Sequence, residues 1–85
     1  MVGKVIAMNR VRGMVAAESS AGISIFELLS DDDVDVGDFV EWRDSTPLGR
    51  ELLRNVTKSL KFEVYFQNHH VSLTMLRQQL LLREA

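Results

Sequence analysis

The sequence predicts a small, mainly all-β barrel of five short strands, followed by one further strand and an α-helix. Three observations predict it. Apolar and β-branched residues recur in short runs through the first sixty residues, turn residues punctuate those runs, and the last twenty-five residues change to a leucine pattern at helical spacing. A chain of 85 residues makes one domain, near the lower end of what folds without staples. At that size, closing the sheet into a barrel is the economical way to remove exposed edges.

Each element follows from its residues. Lys4-Val5-Ile6-Ala7-Met8 is the first strand, and the polar residues 9–12 break it before Gly13. Met14-Val15-Ala16-Ala17 is the second, closed by the turn cluster Glu18-Ser19-Ser20-Ala21-Gly22. Ile23, Ile25 and Leu28 fall in the third. The acidic stretch 31–38 then interrupts the pattern. Phe39-Val40-Glu41-Trp42-Arg43 resumes it, with Val40 and Trp42 on one face and Trp42 predicted to fill the core. A loop over 44–49 holds the only proline, and residues 51–57 supply a fifth strand, although Leu52-Leu53 also suits a helical turn.

Beyond that point Phe62, Val64 and Phe66 alternate with Glu63, Tyr65 and Gln67, the pattern of a half-buried strand. Ser72 is placed to cap a helix running from Leu73 to about Glu84. Leu73, Leu76 and Leu80 share one face of it, which Leu81 and Leu82 widen. The expected organisation is therefore a barrel over residues 1–60 and a strand plus helix over 61–85. The helix must bury its apolar face on the barrel or on a partner, with its own barrel the first expectation.

Composition narrows the function. With no cysteine there are no disulfides, thiolate metal sites or cysteine nucleophiles, which fits a reducing compartment. No apolar run has the length of a membrane span or signal peptide, so a soluble cytoplasmic protein is expected. The net charge of −2 is unevenly spread. Residues 1–29 carry three basic and two acidic groups, residues 30–45 one basic and seven acidic, and residues 46–85 six basic and three acidic. Outside one acidic loop the chain is mildly basic, so the total neither supports nor excludes a polyanionic partner.

At several places the residues are similar to the cold-shock domain family. Gly3-Lys4-Val5 followed by Asn9 resembles the family's opening Gly-Lys-Val-Lys-Trp-Phe-Asn, and Arg12-Gly13 stands where its first ribonucleoprotein motif begins with Lys-Gly. Val36-Gly37-Asp38-Phe39-Val40-Glu41-Trp42 resembles the family's approach to its fourth strand. Gly49 with Asn55-Val56-Thr57-Lys58 resembles its closing segment. The likeness covers roughly residues 3–58 and implies a Greek-key barrel of the oligonucleotide/oligosaccharide-binding type (the OB fold), which in the family binds single-stranded DNA or RNA.

The departures fall at the family's base-stacking positions. Ala7 and Met8 stand for its Trp-Phe pair, and Met14, Val15 and Ala16 for Phe-Gly-Phe. Residues 23–27 stand for its second motif, where Phe26 alone keeps an aromatic ring. Each stacked base is worth about 1–3 kcal/mol, so losing several platforms lowers family-type affinity by powers of ten.

Two functional expectations follow. The first is weak or altered single-stranded RNA or DNA binding through Lys4, Arg10, Arg12, Phe26, Arg54 and Lys58, tracking phosphates with little stacking. The second is a protein-interaction or regulatory module that has lost nucleic-acid binding. It would use Met8, Met14, Leu73, Leu76 and Leu80, and could dimerise through the helix. No catalytic arrangement is recognisable, since there is neither a phosphate-cradling glycine loop nor a nucleophile elbow, and no cofactor is expected. The Asp31-x-Asp33-x-Asp35 spacing invites a calcium loop, but Val36 and Trp42 stand where glycine and glutamate are needed, so a solvated loop is expected. His69-His70 lacks a third ligand and reads as a polar turn rather than a metal site.

Overall fold

The computed structural model describes residues 1–81. Six antiparallel strands form a closed barrel: β1 (Val2–Asn9), β2 (Met14–Ser19), β3 (Gly22–Leu28), β4 (Phe39–Glu41), β5 (Gly49–Asn55) and β6 (Leu60–Val71). Their order around the barrel is β1-β2-β3-β6-β5-β4, with β4 hydrogen-bonded back to β1. The first three strands are a meander, and the fourth returns to lie beside the first, the Greek-key connection.

The mainly β barrel is the class the sequence predicts. It differs in one respect: the strand over 62–67, expected as an addition to five, is part of β6 and stands between β3 and β5. Residues 56–59 are a tight turn joining two neighbouring strands of one barrel. Without β6 the sheet would have two long unpaired edges, which a chain this small cannot leave in water.

Bulges let the long strands serve two neighbours. On β1 the partners Val5↔Ala17 and Ala7↔Ala16 leave Ile6 unmatched. On β6 the partners Ile23↔Val71, Ile25↔Asn68 and Phe26↔Phe66 leave extra residues on either side of Asn68. His70 lies in the second of these bulges at φ 56, the left-handed region, and donates from Nδ1 to the Ala21 carbonyl at 2.8 Å. The His69-His70 pair is thus strand and bulge, not the turn expected from sequence.

Apolar residues occupy both faces of β2 and β3, and two cores result from their alternation. The first fills the barrel with Val5, Val15, Ala17, Phe26, Val34, Val40, Trp42, Leu53, Val64 and Phe66. Phe66 is its centre, with ring centroids 5.5 Å from Phe26 and 5.3 Å from Trp42 in tilted contacts. Gly3 makes room for this packing, because a Cβ there would stand 3.1 Å from the Trp42 ring and 3.2 Å from the Glu18 carbonyl. The second core lies outside the barrel, where Met14, Ala16, Ile23, Ile25 and Val71 are covered by Leu80 and Leu76.

That cover is shorter than the helix expected. Leu73–Met75 form a 3-10 turn and Leu76–Gln79 a single α-helical turn, α1. Leu81, at φ 61, takes the left-handed conformation that ends helices. Ser72 makes no side-chain cap hydrogen bond, and its hydroxyl lies 3.0 Å from that of Thr74. The end of the expected helix, residues 82–84, lies outside the described residues.

Because β6 closes the barrel, a chain ending at Lys61 should not fold. Far-ultraviolet circular dichroism is expected to show it disordered at temperatures where the full chain melts cooperatively; a cooperative melt of the short chain would overturn this account of closure.

Candidate functional site

The acidic stretch is the connection from β3 to β4, and it is a solvent-exposed loop that is clamped at Val34, Asp35 and Asp38. Val34, 1% exposed, plugs the barrel end, while Gly37 donates to the Val5 carbonyl at 2.8 Å and Val5 donates to the Asp38 carbonyl at 2.9 Å. Asn55, fully buried on β5, donates from Nδ2 to Asp38 Oδ2 at 2.9 Å and to the Asp33 carbonyl at 3.1 Å. Its Oδ1 accepts from the Lys58 amide at 3.1 Å. The Lys58 ammonium bonds Asp35 and also reaches Asp33 Oδ1 at 2.9 Å and Asp38 Oδ2 at 3.0 Å. Arg10 adds an ion pair to Asp35 and donates to the Val34 carbonyl at 3.3 Å.

These contacts set the charges. Hydrogen bonds from Lys58 and then Arg10 hold the Asp35 carboxyl below its ordinary value. Burial resists ionisation of Asp38, but hydrogen bonds from Asn55, the Asp35 amide and Lys58 outweigh it, so that carboxyl is lowered too. The same carboxylates, Asp35 first, raise Lys58. The ammonium sits where a calcium-loop reading would put a cation, and no group of three or more metal-ligating side chains occurs among the described residues.

The six expected nucleic-acid contacts do not form one surface. Phe26 is 0% exposed and points into the barrel, so it cannot stack on a base. The one-residue alternation of β3 decides this: Ile23 and Ile25 face outward under α1, and Phe26 faces inward. Arg10 and Lys58 are held by the acidic connection. Arg12 lies exposed between β1 and β2, its backbone amide donating to Asn9 Oδ1 at 3.4 Å. Arg10 and Lys58 meet at Asp35, and Lys4 and Arg54 share a different surface, the outer face of β1, β4 and β5.

The expected protein contacts are displaced as well. Met8 packs against the barrel core, Met14 is buried beneath α1, Leu80 is 1% exposed and Leu76 packs beside it. Leu73 alone is largely exposed. Asn9 fastens the cover by donating from Nδ2 to the Leu80 carbonyl at 2.9 Å and to the Leu81 carbonyl at 3.4 Å. The outer face of β1–β3 is thus occupied by the chain's own C-terminal segment.

Two clefts flank this cover. One, of about 360 Å³, lies between α1 and β3/β6 and is lined by Met14, Glu27, Gln67, Asn68, Gln78, Gln79 and Leu81. Its polar groups already bond one another, Gln67 donating to Glu27 at 3.1 Å and Asn68 to Gln79 at 3.3 Å. The other, of about 290 Å³, is lined by Thr46, Leu48, Asn68, His69 and His70. There His69 donates from Nε2 to the Pro47 carbonyl, leaving Nδ1 of the neutral ring to accept from the buried Ser24 hydroxyl at 2.7 Å. This chain of bonds ties the 43–48 loop to β3 and β6, and the ring stacks on Phe66 at 5.3 Å.

The surface that remains is the outer face of β4, β5, the first half of β6 and the start of β1. The basic residues Lys4, Arg50, Arg54 and Lys61 fall together there. Its exposed Phe39, Leu52 and Tyr65 were not singled out from sequence. Register sets Val2 beside Glu41, Glu41 beside Arg54 and Arg54 beside Lys61 in one row. Lys4 lies beside Phe39, Leu52 beside Glu63, and Arg50 beside Tyr65. Phe39 is 49% exposed, Leu52 53% and Tyr65 44%. The signal available was the alternation itself, since Phe39 and Tyr65 fall out of phase with the buried Val40 and Phe66.

No helix of the described residues is long and apolar enough to cross a membrane. Comparison with protein-family models, with curated proteins and with solved structures gives no match.

Two predictions follow from the clamp and the cover. Lowered carboxylates contribute stability that is complete above their unfolded value near 3.8 and is lost as pH falls through the folded values. Lys58→Met should therefore melt at a lower temperature at neutral pH and lose less on acidification below pH 3.8 than the parent. Coincident melting curves across that range would refute the clamp. Leu80→Ala should cost about 2–5 kcal/mol in urea unfolding, and a change below about 0.5 kcal/mol, the ordinary surface value, would mean that α1 does not seal the second core.

Proposed function

We propose that this barrel is a non-catalytic protein-interaction module whose contact surface is the outer face of β4, β5 and the first half of β6, with the start of β1. The observation that carries the reading is the covered face opposite: Leu76 and Leu80 fill the outer surface of β1–β3, and Asn9 fastens them there. A ligand bound to β1–β3 in the manner of cold-shock domains would have to displace a sealed apolar core. The reading is that of a cold-shock-like scaffold whose family-type binding face is closed.

The face left open has the composition of protein contact surfaces, where aromatic side chains and arginine are enriched. Phe39, Tyr65, Leu52 and Val2 are each about half exposed among Arg50, Arg54, Lys4 and Lys61. Leu52 and Val2 give a protein partner apolar contact, whereas a base gains little from an aliphatic side chain it cannot stack on. The absence of cysteine supports a reducing, cytoplasmic setting for the interaction.

Titration of isotope-labelled full chain with short poly-T and poly-U strands at low salt tests this directly. Amide shifts are expected to stay absent from residues 4–26 up to millimolar strand. Saturable shifts across that segment would overturn the reading in favour of family-type single-strand binding.

A further inference from the structure

The open face has a size, a charge and a shape, and together these select among occupants. Phe39 lies opposite Val56, which donates to its carbonyl at 2.8 Å, and Tyr65 lies opposite Arg50. The two aromatic rings therefore stand six residues apart along β5, about 20 Å at the rise of an extended strand. Across the strands the face is about 14 Å wide at the usual inter-strand spacing, or about 300 Å² in projection. A stable two-fold interface buries about 800 Å² on each partner. The face is too small to hold a second copy of the chain by itself, and it matches about six residues of extended peptide.

β4 pairs with β5 only at Arg54 and Asn55, so residues 49–53 have a strand partner on β6 alone. The outer face itself presents side chains, and recognition on it goes through them. Four cations share it with two carboxylates. Arg54 lies 3.9 Å from Glu41 and Arg50 3.4 Å from Glu63, both as solvent-exposed pairs. Lys4 and Lys61 make no ion pair among the described residues. The four cations and two carboxylates sum to +2, and to +1 with Glu18, which is exposed on β2 beside Lys4, on a chain whose total is −2.

Resting on the reading above, we infer that this face binds a short acidic peptide segment carrying apolar side chains. The apolar groups lie against Phe39, Leu52 and Tyr65, and the carboxylates meet Lys4 and Lys61. Binding is weak and salt-dependent, because every cation involved is exposed and screened.

The test is a selection from a library of random twelve-residue peptides on the immobilised full chain. Counter-selection uses the doubly substituted Leu52→Ser/Tyr65→Ser chain, which removes apolar contact without altering charge. Circular dichroism melts of each variant confirm folding. Enriched peptides are expected to be acidic with interspersed apolar residues, and to lose affinity at least about tenfold, or about 1.4 kcal/mol, on Lys4→Gln/Lys61→Gln. Neutral or basic peptides that depend on the face would overturn the inference and leave the protein-binding reading standing. No enrichment over the counter-selection would overturn both, as would poly-T or poly-U strands displacing the selected peptides from the face. A concentration-dependent dimer in sedimentation, abolished by Leu52→Ser/Tyr65→Ser, would replace the peptide with a second copy.

Discussion

The barrel closes because one connection crosses its end and is held there. β1, β2 and β3 form from local hairpins, but β4 reaches its place beside β1 only if residues 29–38 run across the mouth of the sheet. That path is costly for a chain rich in aspartate, since it brings Asp33, Asp35 and Asp38 together at one end. Asn55 and Lys58, from the far end of β5 and the turn after it, offset the repulsion with one buried amide and one ammonium. Val34 then seats in the barrel mouth as its plug. The clamp couples the two meanders: its acidic half belongs to the approach to β4 and its basic half follows β5. Formation of the β4–β5 hairpin and closure against β1 therefore depend on the same contacts.

Closure has a second consequence at the other end of the chain. β6 must bend to pair with β3 along one stretch and β5 along another, and its bulges supply the bend. Each bulge shifts the alternation by one residue and the two shifts cancel, so Val71, an odd number of positions beyond the inward Phe66, lies on the outer side of β1–β3 next to Ile23. The strand thereby delivers Leu76 and Leu80 to an outer surface made of Met14, Ala16, Ile23 and Ile25. A single helical turn has little stability of its own. It persists because Leu80 is buried and Asn9 satisfies the carbonyls that the turn leaves open.

Much of this was legible in the residues, and the rest was not for identifiable reasons. Val40 and Trp42 declared a strand with one buried face, and the structure seats both in the barrel core. The run Met14-Val15-Ala16-Ala17, apolar on both faces, signalled a strand covered on both sides. It became informative only once a cover was known. Phe26 was misplaced by alternation alone, since an error of one residue exchanges inside for outside. Lys58 looked like a surface cation because its three carboxylates lie 20 to 25 residues away in sequence. Likewise the strand over 62–67 showed its period clearly, whereas its place between β3 and β5 is a matter of pairing that no local pattern encodes.

The same alternation decides which surfaces stay open. Apart from the stretch of β5 that β4 does not reach, the barrel presents its outer faces and its ends. One end is plugged by Val34 under the Asn55–Lys58 clamp, and the β1–β3 face is sealed by the C-terminal turn. At the far end of β6, Ser24, His69 and Pro47 are bonded to one another. What remains is the face whose residues alternate with the buried positions of β4, β5 and β6. On that face Phe39 and Tyr65 stand about half exposed. Leu76 and Leu80 close the β1–β3 face while the β4–β6 face stays open, and both follow from which residues of each strand alternate outward.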